Sequence, residues 1–488
     1  MSNIHNSLSS LFMDIADAIR EKTGDTASIV ADDFPDVIRD SLQIAPPKPY
    51  LTFKSPTSFT LKVNDATKHW DGTLEYSTDT STWSTWDGTT TLSSATSGSK
   101  NVLYLRGTGN TVITGKSTNY KWVLTGSDIA CIGNIENLLD YATVQYGNHP
   151  TMATYCYRYM FRGCTSLIKA PDLPATMLVD SCYDDMFNGC TALTEAPALP
   201  ATTLSEYCYY GMFNGCTNLI QAPALPATTL ARQCYQNMFN GCTSLTKLPT
   251  LPATTLIDGC YYGMFKNCTS ITKAPALPAT TLADICYQEM FYGCTSLTQA
   301  PALPATTLKL QCYNNMFNGC TGLTQVPALP ATTLAEYCYA HMFRGCTSLT
   351  RSPALPATTL VEGCYQSMFN RCTSLIQAPN ELPATTLATN CYRFMFEFTA
   401  IMAIPRIMAT TYATDSCKGM FDDIKTLNVY SRSGPGHEYG WTAPASAYCS
   451  VMFGSDDNQS EWAKLDGSNF PNSGTPTEGV TYYFATVD

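Results

Sequence analysis

From Tyr155 onward the apolar residues return in a fixed phase. Each unit reads Cys-Tyr-x-x-Met-Phe-x-Gly-Cys, then an aliphatic residue three positions on, then Leu-Pro-Ala-Thr-Thr-Leu, as in the copy from Cys338 to Leu360. The leading cysteine falls at Cys156, Cys182, Cys208, Cys234, Cys260, Cys286, Cys312, Cys338 and Cys364, always 26 residues apart. Asn380-Glu381 inserts one residue, so Cys391 follows after 27 and Cys417 after a further 26. A constant period of this size marks stacked repeats, each too small to bury its own apolar side. Counted on the leading cysteine, eleven rungs are expected.

Within a unit, Cys156, Met160, Phe161 and Cys164 stand at i, i+4, i+5 and i+8, a spacing that predicts the inward face of a short helical turn. Gly163 and its equivalents give way to Asn267 and Arg371 in two copies. The position suits a left-handed helix cap, and Arg371 should strain its rung. Segments such as Leu349-Thr350-Arg351 predict a short strand, which Pro353 and Pro356 interrupt because proline has no N–H to pair. Equivalent side chains then form ladders. Eleven cysteines lead the rungs and nine close the turn, odd numbers that cannot pair completely within a column. Buried free thiols are the favoured reading, with bridges between rungs or zinc as alternatives.

Upstream the pattern changes twice. Leu8, Leu11, Phe12, Ile15 and Ile19 recur at helical spacing and stop at Thr23-Gly24, and a second helix is expected from Asp33 to Leu42. Residues 1–44 therefore form an N-terminal helical segment that must pack on its own chain, on a second copy or on another protein, and 45–49 are a proline-rich linker. Over 50–126, short runs such as Phe59–Val63 and Val102–Leu105, separated by turn residues, predict a small Ig-like β-sandwich. Its tryptophans Trp70, Trp83, Trp86 and Trp122 read either as aromatic core or as a sugar-stacking platform. The repeats are bounded at 127–426. Residues 427–488 read as a C-terminal cap, with Cys449-Ser450-Val451-Met452-Phe453 as a last degraded rung.

Charged residues are 14% of the chain against 44% hydrophobic, so the exposed faces must be mostly neutral and polar. A net charge of -11 leaves no basic stripe for phosphates, which argues against nucleic acid as a partner. No apolar run reaches the ~20 residues that span a bilayer, so no membrane insertion is expected. Met1 to Ser10 lacks a signal-peptide pattern, so synthesis in the cytoplasm without such a leader is expected. His5, His69, His149, His341 and His437 are scattered and no phosphate loop or nucleophile elbow occurs. No enzyme activity, catalytic residue, cofactor or metal is expected.

Candidate ligand-binding residues come from the positions that vary. After Cys-Tyr these include Tyr159, Asp184, Asp185, Tyr210, Gln236, Asn237, Tyr262, Gln288, Glu289, Asn314, Asn315, His341, Gln366 and Arg393, read as pointing outward in a polar column. A second stripe, Lys169, Glu195, Gln221, Lys247, Lys273, Gln299, Gln325, Arg351 and Gln377, is assigned to the strand face. The competing reading is that exposed positions drift freely.

The core Met342-Phe343-Arg344-Gly345-Cys346-Thr347-Ser348-Leu349 and its relatives resemble the BspA-like leucine-rich-repeat family over roughly residues 150–426. That resemblance implies an α+β leucine-rich-repeat solenoid, here preceded by the β-sandwich and the helical segment. Because members are mostly surface proteins of adhesion and protein binding, it also implies recognition. The longer period and the Cys-Tyr pair depart from the family pattern. Asp14 to Gly24, followed by Asp33 to Ile38, resembles a module at the start of bacteriophage tail and fibre proteins. It implies attachment to a virion or tail protein through residues 1–44, location on the virion, and a host-surface glycan or protein as ligand. A bacterial surface adhesin and a passive decoration are the alternatives, and a homo-oligomer is expected, as is common for fibres.

Overall fold

The computed structural model describes residues 48–424, 428–430, 432–435, 437–453, 464–465, 468–469 and 475–484. The helical segment expected over 1–44 lies outside them. The first strands, rich in buried apolar residues, build two sheets. Strand β1 (Leu51–Ser55) pairs antiparallel with β7 (Lys100–Thr108) and β9 (Ile129–Ile132), and β7 continues to the short β6 (Ala95–Ser97) and to β3 (Thr73–Ser77), which carries β4 (Ser84–Trp86). The second sheet runs β5 (Leu92–Ser93), β2 (Thr60–Val63), β8 (Trp122–Thr125). The sheets meet through aromatic rings: the Trp122 ring lies 6.4 Å from Phe53 and 5.6 Å from Trp86. Trp70, Trp86 and Trp122 are buried core. Only Trp83 keeps partial exposure, and the Arg106 guanidinium sits 4.1 Å over its ring. The sugar-platform reading of these tryptophans therefore fails for three of the four.

The boundary expected at 126 cuts through a continuous sheet. Strand β9 belongs to the first sheet by its register with β1, and β10 (Leu167–Lys169), in the first rung, pairs in parallel with β9. Between them α1 (Asn137–Gln145) lies against β7, and the Asn110 amide donates to the Leu138 carbonyl at 2.9 Å. The repeat stack thus grows directly from the edge of the preceding sheet, whose unpaired groups it covers.

The short helical turn expected in each unit does not form. In its place the backbone makes consecutive tight turns with a left-handed residue every fourth position, at Tyr155 (φ 66°), Tyr159 (φ 59°) and Gly163 (φ 76°) in the first rung. Alternate N–H groups are used differently. Those of Tyr157, Tyr159, Phe161 and Gly163 donate to the next rung, on Cys182, Asp184, Met186 and Asn188 carbonyls at 2.7 to 2.9 Å. Those of Arg158, Met160, Arg162 and Cys164 donate three residues back. Every backbone donor from Tyr157 to Cys164 is satisfied, half of them by the neighbouring rung. The resulting order is two residues in and two out: Cys156-Tyr157 inward, Arg158-Tyr159 outward, Met160-Phe161 inward, Arg162-Gly163 outward. Spacing by four fits a helix face and this turn ladder alike, which is why the sequence pattern misleads.

The expected strand is also shorter than anticipated. Beyond β10 the stripe pairs only through single parallel bridges, Glu195 to Gln221, Gln221 to Lys247, Lys273 to Gln299, Gln299 to Gln325 and Arg351 to Gln377. Prolines on the following residues stop the ladder from extending. A second bridge column runs through Thr203, Thr229, Thr255, Thr281, Thr307, Thr333, Thr359, Thr386 and Thr411.

Inside, identical side chains stack. Tyrosines from Tyr157 to Tyr392 and phenylalanines from Phe161 to Phe453 form two columns of nearly parallel rings, 5.6 Å apart at Tyr157–Tyr183 and 5.9 Å at Phe421–Phe453. Each pair adds about 0.5–1.5 kcal/mol beyond the burial of its area. All 22 cysteines are buried and unbridged. The column that closes the turn ties neighbouring rungs together. Cys190, Cys268 and Cys372 direct their S–H at the Phe161, Phe239 and Phe343 carbonyls of the previous rung at 3.0, 3.0 and 2.9 Å. At the far end α2 (Ser446–Cys449) and Phe453 stack as a further rung, with the Phe421 N–H donating to the Met452 carbonyl at 2.9 Å. The Phe484 ring then stacks on Phe453 at 6.0 Å.

Candidate recognition surface

The outward pairs of the turn ladder hold the variable residues. The first member of each pair supplies Asp184, Tyr210, Gln236, Tyr262, Gln288, Asn314, Gln366 and Arg393; the second supplies Tyr159, Asp185, Asn237, Glu289, Asn315 and His341. Every residue of the second group is left-handed, with φ between 52° at Asp185 and 59° at Tyr159. The fold therefore brings both columns side by side on one face. It does not leave them projecting freely into water. Tyr159, Asp184, Asp185 and Asn314 are buried and the others half-buried, because each side chain lies along the surface onto its neighbours.

Part of the variation follows from that packing. A bulky residue in one rung leans over a glycine in the next: the Asp185 carboxylate occupies the space beside Gly211, Asn237 that beside Gly263, and the Phe394 ring that beside Gly419. A third variable column, missed from sequence, precedes the leading cysteine and obeys the same rule, with Gln233 over Gly259 and Tyr337 over Gly363. Its signal was present as variation at Ser181, Tyr207, Ile285, Gln311 and Asn390.

Electrostatics is concentrated at the first rungs. Arg158 Nε contacts Asp184 Oδ2 at 2.6 Å and Arg162 lies 3.7 Å from Asp185, while both guanidiniums cover the Tyr159 ring. Burial outweighs the Arg158 charge and pushes the Asp184 carboxyl up to about 7; burial also raises Asp185. Further along, Lys266 meets Glu289 at 2.6 Å, and burial lowers His341 to about 4. Several polar atoms of these columns are buried without a protein partner, namely Asp184 Oδ1, Gln236 Oε1, His341 Nδ1 and Arg393 Nε. Such orphans are uncommon in folded proteins.

Exposure alone does not explain the variation. The threonine pairs Thr202-Thr203, Thr228-Thr229, Thr254-Thr255, Thr280-Thr281, Thr306-Thr307, Thr332-Thr333, Thr358-Thr359, Thr385-Thr386 and Thr410-Thr411 are exposed, and the residue type holds through all nine. The turn face is less exposed and changes throughout. The strand-face stripe is exposed from Lys169 to Arg351 but varies only among long polar residues. Beside it lie shallow cavities of about 510 Å³ near Glu195, Gln221 and Lys247, and about 380 Å³ near Pro249, Lys273 and Pro278.

Among the described residues no helix is long and apolar enough to cross a membrane. Comparison with known proteins matches a family model described as the BspA type leucine rich repeat region in six copies, over residues 138–272, 202–350 and 285–410, together more than half of the chain. Among solved structures, a leucine-rich repeat protein from Bacteroides ovatus is similar at 18% identity, over 52% of this chain and 87% of that one, with a TM-score of 0.24. No curated protein matches.

Proposed function

The chain belongs to the BspA-type leucine-rich-repeat family, and from that premise we propose that it is a non-catalytic recognition protein whose repeat solenoid adheres to a surface ligand through its turn face. The observation that carries this reading is the contrast between the two sides of the stack. Exposed threonine pairs stay constant while half-buried turn-face residues change class from rung to rung. Selection for different contacts along the turn face accounts for that contrast. The half-buried Tyr210, Gln236, Tyr262 and Gln288 side chains lie in the same columns and offer aromatic and polar groups to a glycan or a protein.

We place the molecule on a virion, with residues 1–44 attaching it to a tail or fibre protein, a reading supported by the sequence likeness of that segment. Adhesion at a bacterial surface is the second reading, favoured by the family. Two measurements test these assignments. Fluorescently labelled full-length protein should bind saturably to intact cells of a susceptible host, and binding that rises linearly without saturation would refute recognition. Deleting residues 1–44 should abolish incorporation into particles; undiminished incorporation would refute the attachment role and favour the cell-surface reading.

A further inference from the structure

At the start of the stack, away from the variable face, a cavity of about 360 Å³ is enclosed between the segment after α1 and the first rung. That volume lies within the usual range for small-molecule sites. Its walls include Pro150, Met152, Ala175, Leu178 and Val179, and its polar end is Glu136 with His149. The Glu136 side chain is only 1% exposed, whereas that of His149 is 52% exposed. Both carboxylate oxygens of Glu136 face His149 Nδ1, at 3.0 and 2.8 Å. With Nδ1 engaged, Nε2 is the ring's remaining polar atom. Among the described residues no lysine or arginine lines the cavity. A buried carboxyl group whose cavity-side partner is a half-exposed imidazole is therefore held at the end of a largely apolar chamber.

A second observation points to the same place. The second threonine of Ala-Thr-Thr-Leu is constant in later rungs, but the first rung reads Ala175-Thr176-Met177-Leu178. Met177 lines the cavity and is 85% exposed. An exposed methionine gains nothing for the core, whereas its flexible thioether adapts well to an apolar guest. A Glu136–His149 bond serving only to fasten the loop accounts for the pair but not for the chamber or its methionine rim.

We propose that this cavity binds a small organic ammonium, with its apolar body between Met152, Met177 and Val179 and its N–H donors on Glu136 and His149. The site is separate from the turn face, so its failure leaves the adhesion reading untouched. Phenethylammonium is a suitable probe, with phenylacetate as the anion of similar shape, titrated calorimetrically into the full chain. The ammonium should bind saturably with one-to-one stoichiometry and phenylacetate should not. Glu136→Gln should weaken binding about tenfold or more, the expected effect of removing a buried charge partner. Met177→Trp, a change at an exposed position that fills the mouth, should block binding while leaving the thermal melt in place. Absence of saturable ammonium binding, equal binding of phenylacetate, or full binding by the Met177→Trp protein would overturn the proposal.

Discussion

At the residue scale the decisive feature is how few side chains tolerate the turn ladder. Left-handed backbone costs an ordinary L-residue about 1–2 kcal/mol, yet each rung demands it three times, so glycine and asparagine recur there. Arg371 stands in the glycine column at φ 63°, and Arg371→Gly should raise stability by about 1 kcal/mol in chemical denaturation. Gly263→Ala should lower it by about 1–2 kcal/mol, because the new methyl meets Asn237; adding Asn237→Gly should recover part of the loss. The alternation of bulky residue and glycine was visible in the sequence but had no meaning until the rungs were superposed. The cysteine columns were legible as inward residues, and the pairing of their S–H with a phenylalanine carbonyl was not. Burial pushes the thiols of Cys182, Cys234 and Cys242 up to about 12, so these groups should resist alkylation at pH 8 in the native protein. After denaturation without reductant all 22 should react, and a markedly lower number would mean bridges.

At the element scale the rung is the unit of stability, since half the turn-segment donors bond to the next copy. Excising residues 287–312 rejoins Cys286 to Tyr313 in phase and should leave a folded, shorter stack with an unchanged cooperative melt. Excising 287–299 puts the two halves of the stack out of phase at the junction and should split or lower the melt. The period and the inward residues of this element could be read directly from sequence. Its backbone could not, because apolar residues spaced by four satisfy a helix and a turn ladder equally, and only the left-handed resets separate them. The acidic pair in the first rungs gives a pH test. Asp184 is raised in the folded state, so it favours folding below the ordinary carboxylate range and loses that contribution as pH rises through about 7. His341, lowered by burial, acts in the opposite sense as pH falls from about 6.5 toward 4. The comparison that isolates Asp184 is with Asp184→Asn. That variant should gain thermal stability relative to the parent as pH goes from 5 to 8, and a relative loss over that interval would mean that the Arg158 ion pair dominates.

At the scale of the whole molecule, a stack of nearly identical rungs has two very different sides. Stacked tyrosine and phenylalanine columns and inter-rung hydrogen bonds fix the outward positions in straight files, so neighbouring rungs can address successive groups of one ligand. The existence of those files followed from the 26-residue period, but their burial did not, because the sequence does not reveal side chains lying over the next rung. The chamber at Glu136 and His149 was invisible for a related reason, since its walls come from two regions that meet only in the folded sheet. The most direct test of the central claim compares two sets of alanine substitutions in the full-length protein on the same host cells. Replacing Tyr210, Gln236, Tyr262 and Gln288 should reduce saturable binding about tenfold or more, while replacing Thr228, Thr254, Thr280 and Thr306 should change it by less than about twofold. Loss of binding in the threonine set with retention in the turn-face set would contradict the account.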